Sequence, residues 1–385
     1  MTANSKVAYK RELSRYPVAS IADSRRLLKR VYTTSQVGGA NNAGTIFQIT
    51  PSGALTVLYN FDGTHGSIPF GGLTLGTDGN FYGTTEGGGA ASDGVIFKFT
   101  PPSTLTVLYQ FTGGADGALP YAAPIKGVDG NLYGTAAEGG RLHKGSVYKL
   151  TPAGKFITLH SFNGKDGSNP VAPLVQGTDG NLYGTTEFGG TGAGGSGTIF
   201  KITTAGKLTT LYNFDITHGQ DVQAPLIQGT DGNFYGTTSS GGDHSSGVVF
   251  SITPAGSLTV LHSRVRGHLL ATCTQVFLRR SEPIWLRNAR YGTSLWIADY
   301  GNAALLKMRT SDGTILASYP VGANPRGVAF DGANLWIASG GNDTVTKLRA
   351  SDGTNLGTVS VGNFPYPVVF DGAFVWIGIA MVGRP

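Results

Sequence analysis

The sequence predicts an all-β protein, a β-propeller built of four-stranded blades, and three observations predict it. The phrase "GTDGNFYGTT" at 76–85 returns as "GVDGNLYGTA" (127–136), "GTDGNLYGTT" (177–186) and "GTDGNFYGTT" (229–238), which spaces Asp78, Asp129, Asp179 and Asp231 by 51, 50 and 52 residues. Nearer the C-terminus Trp296, Trp336 and Trp376 recur every 40 residues. Glycine makes up 60 of the 385 residues and, without a collagen period, sits between short β-branched and aromatic runs. Repeats of this length, each with four strand-like runs, suit propeller blades, because each blade is a small twisted antiparallel sheet whose two faces pack against its neighbours.

Residues 1–30 stand outside the repeat. Over 1–31 there are eight Lys or Arg against two acids, so the segment has little apolar surface to bury and is expected at the periphery. At most it forms a short amphipathic helix through "VASIADSRRLLKRVY". The first kind of repeat runs over 31–263. Its clearest copy, Ala172 to Phe214, contains the runs PLVQ, NLYGTT, TIFKIT and LTTLYNF. The turn after the first run is Asp-Gly-Asn, which tolerates positive φ, and the third turn is of the "TPAGK" kind seen at 151–155. Tyr82, Tyr133, Tyr183 and Tyr235 follow the Asp-Gly-Asn turns and offer flat rings for packing between blades. Runs such as "TIFKIT" and "VVFSIT" are apolar on both strand faces, as a sheet covered on both sides requires.

At Arg264 the repeat stops in mid-phrase. Residues 264–291 form a non-repeat basic junction, with six Arg against Glu282 up to residue 290. Cys273 lies there in an apolar setting, which raises a thiol pKa and argues against a nucleophile. The second kind of repeat occupies 292–385, in one ring with 31–263. Its phrase, "FDGANLWIASGGNDTVTKLRASDGTNLGTVSVG" (330–362), again gives four strands with a DG turn after the first. Third strands (45–50 through 344–350) and outer strands (55–61 through 356–361) each number seven, and inner strands do so if 285–291 supplies one. Seven blades follow. The first blade lacks an inner strand of its own, while spare strands stand at 367–371 and 374–380. The N- and C-terminal strands are therefore expected to share one blade, removing open edges.

"LYGTTEFGGTGAGGSGTIFKITTAGKLTTLYNF" and its sister copies resemble the GloVer tandem-repeat family, named for its "choice-of-anchor" members, over about 31–263. "NLWIASGGNDTVTKLRASDGTNLGTVSVG" resembles the YVTN and NHL-type propeller repeats over about 292–380. The resemblance implies a propeller and no particular chemistry. It also implies a secreted or cell-surface bacterial protein, whereas the basic start carries no apolar signal core. Localisation is left open.

Several function classes are disfavoured. The repeats outside the two basic segments hold 15 basic and 20 acidic residues, so nucleic acid is not the expected partner. There is no run of about 18 apolar residues to span a membrane. One cysteine excludes an intrachain disulfide framework and a multi-cysteine metal site. HExxH, GxSxG, GxxxxGK[ST] and CxxC are all missing. The repeated Asp lacks the further carboxylates that calcium wants. The reading is a monomeric, non-enzymatic binding or interaction module, with a metal-assisted hydrolase or lyase at the channel mouth as the alternative. No cofactor is predicted, although a divalent cation is compatible with the acids of the long loops.

Loop length places the candidate site. Turns from first to second strand and from third to outer strand are short and near-constant, whereas second-to-third loops and interblade connections are long and varied. In a propeller the two long classes share one rim, where function usually resides. Glu86, Glu138 and Glu187 recur in the second-to-third loops, with Ser239 in the fourth copy, and His65, Asp116, Asp166 and His218 recur in the interblade loops. This set suits a glycan, a protein or a cation. The bland alternative is that the acids cap glycine-rich loops.

Overall fold

The computed structural model describes residues 21–22, 31–49, 55–192, 194–229, 231–243, 245, 247–263, 294–299, 301–310, 312–361, 365–370 and 375–379. Among them every regular element is a β-strand, and all strand pairs are antiparallel. No helix among the described residues is long and apolar enough to cross a membrane.

Seven blades follow one another along the chain. Blade I comprises β1 (Ile21–Ala22), β2 (Val31–Ser35), β3 (Thr45–Ile49) and β4 (Leu55–Asn60). Blade II comprises β5 (Thr74–Leu75), β6 (Phe81–Thr85), β7 (Val95–Thr100) and β8 (Thr104–Gln110). Blade III comprises β9 (Ile125–Lys126), β10 (Leu132–Ala136), β11 (Ser146–Leu150) and β12 (Phe156–Ser161). Blade IV comprises β13 (Val175–Gln176), β14 (Leu182–Thr186), β15 (Thr198–Ile202) and β16 (Leu208–Asn213). Blade V comprises β17 (Ile227–Gln228), β18 (Phe234–Thr237), β19 (Val249–Ile252) and β20 (Leu258–His262). Blade VI shows β21 (Ser294–Asp299), β22 (Ala304–Arg309) and β23 (Ile315–Pro320). Blade VII comprises β24 (Pro325–Phe330), β25 (Asn334–Ser339), β26 (Thr344–Arg349) and β27 (Asn355–Ser360). In each blade the strands pair in chain order. The inner strand expected for blade VI at 285–291 lies outside the described residues, as does Cys273.

The expected sharing of one blade by the two chain ends is not what the strands do. β28 (Pro365–Phe370) and β29 (Val375–Ile379) pair with each other as a separate two-stranded sheet. β28 lies beside β24 and β25 of blade VII. The inner position of blade I is held instead by β1, where Ile21 pairs with Tyr32 and Ala22 with Val31. A two-residue inner strand needs only two ladder pairs, so it leaves no recognisable phrase in the sequence. For the same reason the 1–30 segment is not wholly peripheral; its remaining residues lie outside the described ones.

The core is a set of clusters, one between each pair of successive blades. Between I and II, Tyr32, Ile46, Phe61, Leu73, Phe81 and Phe97 are buried together, and between IV and V so are Tyr183, Phe214, Leu226, Phe234 and Phe250. Full burial of such a side chain stabilises by roughly 1.5–3 kcal/mol. The two kinds of repeat differ in where the ladder slips. In blades I to V the register between third and outer strands shifts in the first half of the third strand, at Ile46/Phe47, Ile96/Phe97, Val147/Tyr148, Ile199/Phe200 and Val249/Phe250. In VI and VII it shifts near the far end, at Lys307/Met308 and Lys347/Leu348.

Candidate ligand-binding site

The two long loop classes do meet on one rim, because they hydrogen-bond to each other. Isolated bridges join Ser67 to Gly87, Ala118 to Glu138, Ser168 to Phe188 and Gln220 to Ser240. One step further in, the amides of Glu86, Ala137, Glu187 and Ser239 donate to the carbonyls of Ile68, Leu119, Asn169 and Asp221. Those four carbonyl residues adopt left-handed backbone, with φ of 55, 53, 57 and 59°. That is a strained conformation for the branched Ile68. The turn aims the following residue, Pro69, Pro120, Pro170 or Val222, at the preceding blade. The clearest sign is at Gly44, Gly94 and Gly145, where an added Cβ would stand 2.5, 2.7 and 2.5 Å from the Cδ of Pro69, Pro120 and Pro170.

These bonds also correct the alignment of the acids. Glu86 and Glu187 hold the first position after the second strand, together with Gln36 and Ala137, and Ser239 holds the equivalent place two residues after β18. Glu138 stands one residue further on, opposite Ala118 where Gly87 and Phe188 stand in the neighbouring blades. "GTAAEGG" carries one residue more before its acid than "GTTEGG" does. The charges of all three glutamates still act on one ring. The hydroxyl pKa of Tyr121 is raised, first by burial and then by the negative charges of Glu86, Glu138 and Glu187.

The three acids differ in surroundings. Glu187 is anchored: Asn169 Nδ2 donates to its Oε2 at 2.6 Å and Gln223 Nε2 to its Oε1 at 2.7 Å. Glu86 is half-buried and receives no side-chain hydrogen bond among the described residues, and burial pushes its carboxyl pKa up. Glu138 is exposed. Tyr121 stacks edge-on against Phe70, ring centroids 5.3 Å apart, and Phe70 is 40% exposed.

The interblade candidates do different work. Asp116 accepts from Tyr109 Oη at 2.9 Å, the Thr112 amide at 2.9 Å and Thr112 Oγ1 at 2.6 Å. Asp166 accepts from the Asn163 amide at 2.8 Å and lies 2.8 Å from His160 Nε2. Burial raises its pKa, but those two partners outweigh it and hold the carboxyl low. His65 and His218 turn Nδ1 to Asp62 and Asp215, at 2.7 and 2.8 Å. The loops thus swap partners: acid first and histidine last in two copies, Thr or Asn first and acid last in the others. All four residues close their own loop, but His65 and His218 are 51 and 48% exposed and keep Nε2 without a hydrogen bond among the described residues.

Between the connection carrying Asp62, Thr64 and Ser67 and the loop carrying Gly87 to Gly89 and Ser92 lies a cleft of about 720 Å³. Among the described residues no three His, Cys, Asp or Glu side chains form a group able to hold a metal ion. Sequence reasoning missed Gln36, Phe70, Tyr121, Asn169 and Gln223. Phe70, Tyr121 and Gln223 share one slot in "IPFGG", "LPYAA" and "DVQAP", and the recurrent proline or its substitute was the available signal.

The Gloeobacter/Verrucomicrobia repeat matches residues 6–127 and 114–275. The chain belongs to that repeat family. The match begins earlier and ends later than the 31–263 read from the sequence. No curated protein matches the chain in sequence. Solved structures similar to it include the computationally designed Ika8 protein, at 14% identity and TM-score 0.59 over 97% of this chain and 98% of that one. A streptogramin B lyase matches at 15% identity and TM-score 0.52 over 81% and 90%. The periplasmic gluconolactonase of Pseudomonas aeruginosa matches at 16% identity and TM-score 0.46 over 87% and 97%. Identities this low speak to the fold alone.

Proposed function

We propose that this repeat protein is a monomeric, non-enzymatic binding module whose ligand, a glycan, protein or cation, contacts the long-loop rim at the channel mouth. The observation that supports the reading is that the two long loop classes bond to each other on one rim, where Glu86 has no side-chain hydrogen bond among the described residues and the exposed Phe70 ring lies against Tyr121. The opposite rim is built of repeated Asp-Gly-Asn turns with little variety to discriminate ligands. A hydrolase or lyase using a metal at the same mouth is the alternative reading. Replacing Glu86, Glu138 and Glu187 together by Gln keeps size and removes three charges. Affinity for a rim ligand found by screening glycans, cationic peptides and divalent cations should fall by more than the ~1 kcal/mol typical of an exposed charge pair. Unchanged affinity in the triple variant would move the site off this rim.

A further inference from the structure

The ring of positions just after the second strands holds one side-chain amide, that of Gln36, left unused among the described residues. Gln36 is only 8% exposed, and its Nε2 is buried without a hydrogen-bond partner among the described residues. A buried amide left unsatisfied costs about 1–3 kcal/mol, so something must compensate for keeping it. In blade IV the same position is Glu187, which is met by Gln223 of the next blade. In blade I the next blade presents Phe70, which cannot accept. The 69–71 segment does lie alongside: Thr34 Oγ1 reaches the carbonyls of Pro69 and Gly71 at 3.3 and 3.4 Å.

An arc thus runs round the mouth in the order Gln36, Phe70, Glu86, Tyr121. It offers an unused donor, an exposed ring, an unused carboxylate and a second ring. We infer that this arc is a carbohydrate subsite, in which Gln36 donates to a sugar oxygen, Glu86 accepts from a sugar hydroxyl and the Phe70 ring covers the C–H face. Sugar hydroxyls donate and accept at once, which matches one free donor beside one free acceptor, whereas a cation would leave the amide still unsatisfied. Gln36 makes no bond with its amide nitrogen in the resting structure, so turning that nitrogen outward breaks none, and side-chain rearrangement of this size is common on binding.

The inference rests on the rim reading, and the experiment separates the two. The full chain is titrated with neutral hexose and N-acetylhexosamine oligosaccharides, and with cadaverine and calcium as cationic probes. At least one sugar should bind. Gln36→Leu and Phe70→Ala should each weaken it roughly tenfold, while Lys155→Gln, in an exposed short turn of the opposite rim, should stay within about twofold. Gln36→Leu should also raise the thermal midpoint, since an apolar side chain replaces an unsatisfied amide. Binding of cadaverine or calcium but no sugar, with loss in the triple glutamine variant, overturns the sugar assignment and leaves the rim standing. Sugar binding indifferent to Gln36→Leu and Phe70→Ala, or no sugar binding at all, overturns the subsite.

Discussion

Five blades carry an aromatic ring in the third strand, and four of them use phenylalanine: Phe47, Phe97, Phe200 and Phe250. The fifth is Tyr148, whose hydroxyl is buried without a partner among the described residues and faces Gly134. Tyr148→Phe should therefore stabilise the protein by about 1 kcal/mol; a urea midpoint that falls would mean the hydroxyl is bonded after all. Elsewhere a tyrosine hydroxyl is put to use. Tyr82, Tyr133, Tyr183 and Tyr235 donate to Asp78, Asp129, Asp179 and Asp231 at 2.7, 2.6, 2.7 and 2.6 Å, and the Asn between them bonds the same carboxylate. Trp336 Nε1 and Asn334 meet Asp331 in the same way in blade VII. Burial raises the pKa of Asp78, Asp129 and Asp179, but the Asn and Tyr bonds outweigh it and hold them low. The hydroxyls of Tyr82, Tyr133 and Tyr235 are pushed up to about 12, by burial first and the carboxylate second. A lowered carboxylate stabilises above its ordinary pKa and loses that as pH falls; a raised phenol stabilises below its ordinary value and loses that as pH climbs toward 12. Stability should thus be flat between about pH 4 and 10 and decline on both sides. In Tyr133→Phe the thermal midpoint at pH 7 should drop and the decline above pH 10 should be shallower; equal alkaline slopes would remove the triad from the explanation. The repeated phrase made the turn and the ring legible, but not their bond, because spacing alone does not say which carboxylate a phenol meets.

Among strands, the blades are tied to one another by a hydroxyl at a fixed point of the second strand. Thr84, Thr135 and Thr185 donate to the carbonyls of Ala122, Ala172 and Ala224 in the next blade, at 3.0, 3.2 and 3.4 Å. Thr237 occupies the same point in blade V, buried, with no partner among the described residues. Thr185→Val should cost about 1 kcal/mol, whereas Thr237→Val should be neutral or stabilising. Equal losses at both positions would show that packing of the β-branched side chain decides the effect. This tie also explains why the inner strands are shorter than read from the sequence. PLVQ promised a longer strand, but only Val175–Gln176 enters the ladder, because the chain at Ala172 is committed to the neighbouring blade. Four strands per unit were legible from the turn residues. The misplacement of Glu138 was not, since a one-residue difference in a loop becomes visible only through the backbone bonds that count it.

For the whole molecule, the unusual part is the end of the array. Outer strands of blades II to V are mostly half-buried, but β27 is exposed at every residue, Leu356 and Val359 included. The cause is the size of the next sheet along the chain. Blades II to IV are each succeeded by a blade that brings four strands, whereas blade VII is succeeded by the two-stranded β28–β29 sheet, which lies against β24 and β25 and stops short of the outer strand. On the β24–β26 sheet Ala329, Trp336, Ala338 and Val345 form a buried cluster of their own, apart from the one shared with blade VI. We expect the hairpin to be what keeps that cluster dry. Deleting residues 365–385 should lower the thermal midpoint and speed amide exchange in 325–330 and 334–339, leaving blades II to IV protected as before, because they contact only their own neighbours. Leu356→Lys, by contrast, should change stability by less than about 0.5 kcal/mol, since nothing covers that strand. If the truncated chain keeps its midpoint and its exchange pattern, the hairpin is a passenger and blade VII is stable with one face open. If protection is lost in blade I as well, the two chain ends meet after all, and the ring closes through them in solution.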